Sequence, residues 1–297
     1  VSPEWKVFIE KKLDKKGGFE LAKTIMFQGT SSHVGKSILT TALCRIFFQD
    51  GYRVAPFKAQ NMTRNSYLTE NGLEVGKSQA IQAMAAGVAP RVEMNPVLIK
   101  PVNNSSAQVI VNGRPIGDMS DRDYYEGKNL ILFEEIKKAL ATLQRDFEVI
   151  VLEGAGSPTE INLKDRDLAN MRTARLAEAP VLLVADIHRG GALASVVGTL
   201  ELLEPDERAL VKGIVLNRFS GKLSLLKPAL DFLEQKTGKP VVGVIPLMEI
   251  NIPEEDSLGS DDHKRPIETL DWEQEFDQLA ATCRRYLDMD KIYQLLG

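Results

Sequence analysis

Hydrophobic residues in this chain fall into short, nearly continuous runs, separated by stretches where they recur every three or four positions. Ile25 to Phe27, Val149 to Leu152, Val181 to Ala185, "VKGIVLN" from Val211 and "VVGVIP" from Val241 are such runs. "YRVAPFK", Tyr52 to Lys58, reads as a further short strand, and "AQVIVNG" alternates as a strand does and ends in a turn glycine. Between the runs lie helical patterns. Ser37 to Phe48 places Ile38, Leu39, Ala42, Leu43, Ile46 and Phe47 at helical spacing, and Gly76 to Gly87 and Leu130 to Arg145 read as further helices. Runs apolar on both faces, alternating with helices, predict an α/β fold: a mostly parallel sheet covered by helices on both faces.

That fold says where to look for chemistry. Ligands of such sheets bind beyond the carboxyl ends of the strands. The strand-end residues are Gly29, Lys58, Glu153, Asp186, Asn217 and Pro246. Around this body the chain divides simply. Residues 1–22 form an N-terminal extension rich in Lys and Glu, 23–252 the main domain, 253–271 a polar linker and 272–297 a last helix.

Composition narrows the classes. With 297 residues, 43% hydrophobic and 26% charged, the chain is an ordinary globular protein. A net charge of −4 argues against a nucleic-acid partner. No apolar run approaches the roughly 18 residues of a membrane span. The first residues show no signal-peptide pattern. Cys44 and Cys283 sit in apolar helical contexts, so a cytoplasmic protein without disulfides is expected. Three histidines and two scattered cysteines offer no zinc spacing.

The most specific signal is "GTSSHVGKS", Gly29 to Ser37, between the first strand and the first helix. Strand, glycine loop and helix point backbone N–H groups and a helix N-terminus at an anion. The loop comprises Gly29, Thr30, Ser31, Ser32, His33, Val34, Gly35, Lys36 and Ser37. Lys36 is placed to meet the β/γ-phosphates of a nucleotide and Ser37 to reach Mg²⁺. The spelling is unusual. G-x-x-x-x-G-K-[ST] needs glycine at position 30, where this chain has Thr30, with the glycine one place earlier.

Other residues suit the same chemistry. Glu153, closing a buried strand before Gly-Ala-Gly, can hold a metal opposite the loop. Lys58 can reach transferring phosphoryl oxygens. Gln60, Asn61, Thr63, Arg64, Asn65 and Ser66 form a run of hydrogen-bonding groups suited to a polar ligand. Asn162, Asp165, Arg166 and Asn170 crowd the stretch after the Glu153 loop, where a solvated helix start is the alternative explanation. Arg189, after Asp186 and before two glycines, suits a carboxylate or phosphate. Asn217 can read an adenine edge, although a turn asparagine is the plainer reading, and Pro246 ends the last strand of that group.

Taken together, "QGTSSHVGKS", "APFKAQNMTRNS", "NPVLIKP", "VLEGAGSPTEINLKDRDLANM", "VLLVADIHRGGALAS", "GIVLNRF" and "IPEEDS" resemble the synthetase domain of cobyric acid synthase, an amidase of cobalamin biosynthesis. The longer phosphate loop resembles that of dethiobiotin synthetase, a P-loop relative in fold. The resemblance implies ATP and Mg²⁺ as cofactors, and adenosyl-cobyrinic acid a,c-diamide and ammonia as partners. Its peripheral carboxylates would be amidated through an acyl phosphate. It also implies nucleotide contacts along the loop and at Asn217 and Pro246, and metal contacts at Ser37 and Glu153. Lys36, Lys58 and Glu153 become the catalytic set. Substrate contacts fall on Gln60, Asn61, Arg64, Ser66, Asn162, Asp165, Arg166, Asn170, Asp186 and Arg189. Gln79 stands where dethiobiotin synthetase has a second metal-holding carboxylate, and His188 departs from the family's usual aspartate.

The full family carries a glutaminase domain, whose cysteine and histidine find no counterpart here. This chain alone is therefore expected to use ammonia, free or from a separate glutaminase, and fold relatives suggest a homodimer. Two alternatives remain. One is the sister enzyme that makes the a,c-diamide. The other is a partitioning or septum-positioning switch ATPase, whose signature lysine is replaced here by Ser31.

Overall fold

The computed structural model describes residues 21–102, 106–120, 129–253 and 270–297. All but the last two residues of the N-terminal extension and most of the linker, read above as separate segments, lie outside the described residues.

A six-stranded sheet forms the centre. Its strands are β1 (Lys23–Gly29), β2 (Val54–Phe57), β9 (Val149–Glu153), β10 (Val181–Asp186), β11 (Val211–Phe219) and β12 (Val241–Pro246). The order is β12-β11-β10-β1-β9-β2, and every pair is parallel. β9 is buried at all five positions, including Glu153. β1 lies between β9 and β10, so its carboxyl end, Gly29, opens at the middle of the sheet edge, next to Glu153 and Val184.

Helices cover both faces, as the double-sided apolar runs require. On one face α1 (Lys36–Gln49) packs beside α2 (Lys77–Ala85). On the other lie α3 (Asn129–Asp146), α4 (Met171–Leu176), α5 (Ala192–Leu202) and α7 (Leu223–Thr237). The short α6 (Pro205–Leu210) leads into β11.

The sequence pattern missed two smaller sheets. β3 (Gln60–Met62), β6 (Val97–Pro101), β7 (Ser106–Val111) and β8 (Arg114–Ser120) form one, of which only β3 and β6 run parallel. β4 (Ser66–Leu68) and β5 (Glu74–Gly76) pair as the other. Three of these strands have three residues each, too few to set a period. "AQVIVNG" is β7 and its turn. Asn112 and Gly113 both have positive φ, 48° and 77°, which suits the tight turn into β8.

The last helix of the sequence reading is two helices, α8 (Trp272–Tyr286) and α9 (Met289–Leu296). Leu287 turns extended, and the N–H of Asp288 donates to the Val242 carbonyl of β12 at 2.7 Å. Asp288 then caps α9 by accepting from the Lys291 N–H. The break is made by a strand far away in sequence, so no Gly or Pro announces it. α8 packs along α1, and the two C-terminal helices share its apolar core.

Candidate active site

The phosphate loop is held from below and behind. A Cβ on Gly29 would stand 2.6 Å from Val34 Cγ2, 2.8 Å from the Ser31 carbonyl and 2.9 Å from Lys36 Nζ. The loop folds back over this position, which explains a glycine at 29 rather than at 30. His33 and Gly35 both have positive φ, 60° and 94°. Gly35 also leaves no room for a side chain, because a Cβ would lie 2.1 Å from Asn217 Nδ2. α1 begins at Lys36 with no side-chain cap and no acid in its first turn. Its N-terminal N–H groups and dipole therefore face the loop, where an anion is favoured.

We expect Gly35→Ala to lower nucleotide affinity by tenfold or more, since it strains the backbone by about 1–3 kcal/mol and displaces Asn217. Titration with a fluorescent nucleotide analogue measures it.

The charged centre is compact. Lys36 Nζ donates to the carbonyls of Ser31 at 3.0 Å and Gly156 at 3.1 Å. Glu153 receives three donors. Ser37 Oγ reaches its Oε1 at 2.8 Å, Lys58 Nζ reaches the same oxygen at 3.0 Å, and Gln82 Nε2 reaches Oε2 at 2.7 Å. Burial alone would raise the Glu153 pKa. The Lys58 charge and the hydrogen bonds from Lys58, Gln82 and Ser37 outweigh it and hold the carboxyl below its usual value. Lys36, Ser37, Lys58, Gln60, Asn61 and Glu153 all line one cleft of about 410 Å³.

Ser37 and Glu153 offer a hydroxyl and a carboxylate oxygen 2.8 Å apart. Hard oxygen donors in small number fit Mg²⁺, which keeps waters and takes phosphate oxygens for its other positions. Among the described residues no cluster of three His, Cys, Asp or Glu could hold a metal without such help.

The residue of α2 that reaches Glu153 is Gln82, one turn beyond Gln79. Gln79 is fully buried and its Oε1 accepts from Asn61 Nδ2 at 2.8 Å. Sequence reading missed Gln82. Its only signal was a polar residue recurring on an otherwise alanine-rich helix.

A second missed residue is Arg218. Its Nη1 donates to the His33 carbonyl at 2.6 Å and pairs with Asp186 Oδ2 at 2.9 Å. Asn217 Nδ2 donates to the Val34 carbonyl at 2.9 Å. Two adjacent residues of β11 thus brace two adjacent carbonyls of the phosphate loop. Gly35, Asn217, Arg218, Pro246, Met248 and Ile250 line a further cleft beside the loop, which joins Asn217 and Pro246 as the sequence reading grouped them.

The other expected substrate groups divide between structural contacts and cleft walls. Asp186 accepts from the His188 N–H at 2.8 Å besides pairing with Arg218, so it braces the loop. Asn170 Oδ1 accepts from the Ala155 N–H at 3.0 Å, and its Nδ2 donates to the Ala155 carbonyl at 2.8 Å. Asn170 therefore shapes the turn after Glu153. Gln60, Arg166 and Asn170 line a smaller cleft alongside the main one. Arg64, Asn162 and Arg189 are exposed, and with half-buried Ser66 they line none of these three clefts. The Asp165 side chain lies outside the described residues. Both cysteines are buried in the core, and burial pushes the Cys283 thiol up to about 12 and Cys44 higher still, which makes them packing residues and not nucleophiles.

Comparison with known proteins gives this geometry a family. The model described as "CobQ/CobB/MinD/ParA nucleotide binding domain" matches residues 25–257. The chain belongs to that family. The matched stretch of this nucleotide-binding domain takes in the phosphate loop, Lys58, Gln82, Glu153 and Asn217, and stops short of α8 and α9. Curated relatives are cobyric acid synthases. The protein of Pelotomaculum thermopropionicum is 64% identical over 80% of this chain and 46% of its own length. That of Moorella thermoacetica is 63% identical over the same shares, and that of Carboxydothermus hydrogenoformans is 60% identical over 80% and 48%. The chain thus spans about half the length of the relatives it matches. Among the described residues no helix is long and apolar enough to cross a membrane.

Proposed function

We propose that the chain is the ATP-dependent amidoligase part of a cobyric acid synthase, acting on peripheral carboxylates of adenosyl-cobyrinic acid a,c-diamide. The observation that carries this reading is the gathering of Lys36, Ser37, Lys58 and Glu153 in one cleft, in a chain with relatives of that name.

The chemistry follows from the charges. A substrate carboxylate oxygen attacks the γ-phosphorus, the bond to the β-phosphate oxygen breaks, and ADP leaves. The acyl phosphate so formed carries a good leaving group. Ammonia then attacks the acyl carbon, the C–O bond breaks, phosphate departs and the nitrogen sheds its surplus proton. Lys36 and the α1 N-terminus hold the phosphates, and Lys58 neutralises charge on the transferring group. Ser37 and Glu153 would hold Mg²⁺, which would supply positive charge against the phosphates.

The test is an amidation assay on the a,c-diamide with Mg·ATP, offering ammonia and glutamine in parallel and following product mass. Stepwise amidation with ammonia only is the expected result. Amidation supported by glutamine without a second protein would refute the nitrogen source. Amidation of cobyrinic acid itself, with the a,c-diamide untouched, would move the chain to the sister enzyme.

A further inference from the structure

We infer that Lys58 stands in for the divalent cation on Glu153, and that ammonium and metal exchange places as the site fills. This rests on the reading of the site given above and adds an antagonism within it. The metal alone is excluded by a tethered side chain, and only a phosphate-bearing ligand relieves the exclusion.

The geometry is specific to one oxygen. Glu153 Oε1 accepts from both Ser37 Oγ at 2.8 Å and Lys58 Nζ at 3.0 Å. The Lys58 and Glu153 side chains are 6% and 1% exposed, so water screens them little. A cation shared by Ser37 and Glu153 approaches the same oxygen. A divalent ion and an ammonium cannot both sit against it, because like charges about 4 Å apart repel by several kcal/mol at a partly buried site.

The surrounding residues let one group move while the rest stay. The main chain of Lys58 is pinned, its N–H to the Met94 carbonyl at 2.9 Å and its carbonyl to Asn95 Nδ2 at 3.0 Å. Its side chain lines the same cleft as Lys36, where transferring phosphoryl oxygens would offer it a new anion. The carboxylate is clamped from its other side. Gln82 Nε2 holds Oε2 at 2.7 Å, and Gln82 leaves its own Oε1 without a partner among the described residues. A buried amide that forgoes one hydrogen bond to fix a carboxylate is costly unless the position of that carboxylate matters.

Metal and nucleotide binding should therefore be strongly coupled, and Lys58 should carry the coupling. The probe is Mn²⁺ alone, its free fraction followed by electron paramagnetic resonance in mildly alkaline buffer, with and without ATP. Native protein is expected to bind Mn²⁺ weakly alone and much more tightly with ATP. Lys58→Met removes the rival charge. It should bind Mn²⁺ alone about tenfold or more tightly than native, and the gain from ATP should shrink by a similar factor. Mn²⁺ alone should also raise its melting temperature more than that of the native chain. Lys58→Gln keeps a donor to Glu153 and serves if the methionine variant does not fold. Adding Glu153→Gln to either variant should abolish the gain.

Mn²⁺ binding no tighter in both Lys58 variants than in the native chain, with Mn·ATP still bound, overturns the exchange and leaves the site reading intact. Failure of the native chain to bind Mn·ATP overturns both.

Discussion

Lys36→Ala is expected to lower ATP-dependent amidation by about a thousandfold while leaving the fold intact. Lys36 is 6% exposed, and its ammonium is set by two backbone carbonyls, Ser31 on the near side and Gly156 on the far side. The ammonium lines the cleft where phosphate oxygens would arrive, and its Coulomb gain should grow as charge develops on the transferring group. The loss should fall mainly on kcat rather than on KM. Removing the side chain leaves two carbonyls short of a donor, a cost of about 1–3 kcal/mol. A modest fall in melting temperature is thus compatible with the assignment. Lys36→Arg should not rescue turnover. Nζ already passes so close to Gly29 that a Cβ there would stand 2.9 Å away, and a broader guanidinium has no matching space. Steady-state kinetics with circular dichroism on both variants decide it, and near-native turnover in either would sink the assignment.

The central sheet was legible because its strands are buried on both faces, so hydrophobic runs alone mark them. β9, with five buried residues in succession, is the clearest. The smaller sheets gave no such signal. β3 is three residues long with one buried residue, and β4 has none, so their pairing is decided by neighbours distant in the chain.

At the site, legibility followed from residue type at a strand end. Gly29, Lys58 and Glu153 could be placed because the α/β rule points to those positions. Gln82 and Arg218 were invisible for the opposite reason. Their partners lie 71 and 185 residues away, and nothing local distinguishes them from solvated side chains. Asn170 and Asp186 carry contacts that the sequence does not announce. Polar residues beside a predicted site look free to meet a ligand, yet both also hold loops, Asn170 while lining the smaller cleft. A sequence shows which groups can hydrogen-bond, and the tertiary fold decides which of them already do.

The second large effect concerns stability at a distance from the cleft. Phe276→Ala is expected to cost about 3–5 kcal/mol. Phe276 is 1% exposed in the core that α8 shares with α1, together with Leu279, Ala280 and Cys283. Ion pairs also join the two helices. Arg45 on α1 meets Glu273 at 2.6 Å and Asp277 at 2.7 Å. These pairs are short, but the acids are 72% and 53% exposed, so water screens them. Glu273→Gln should therefore cost about 1 kcal/mol or less, well below the cavity left by a phenyl ring. Urea unfolding separates the two through the midpoint, with an unchanged slope expected for both. The order matters for function because α1 starts at Lys36. Whatever loosens α8 from α1 loosens the helix whose first turn frames the phosphate loop. Near the unfolding midpoint of the Phe276 variant, nucleotide should restore stability by mass action. If Glu273→Gln proves the costlier change, electrostatics rather than apolar burial fastens the C-terminal helices to the site.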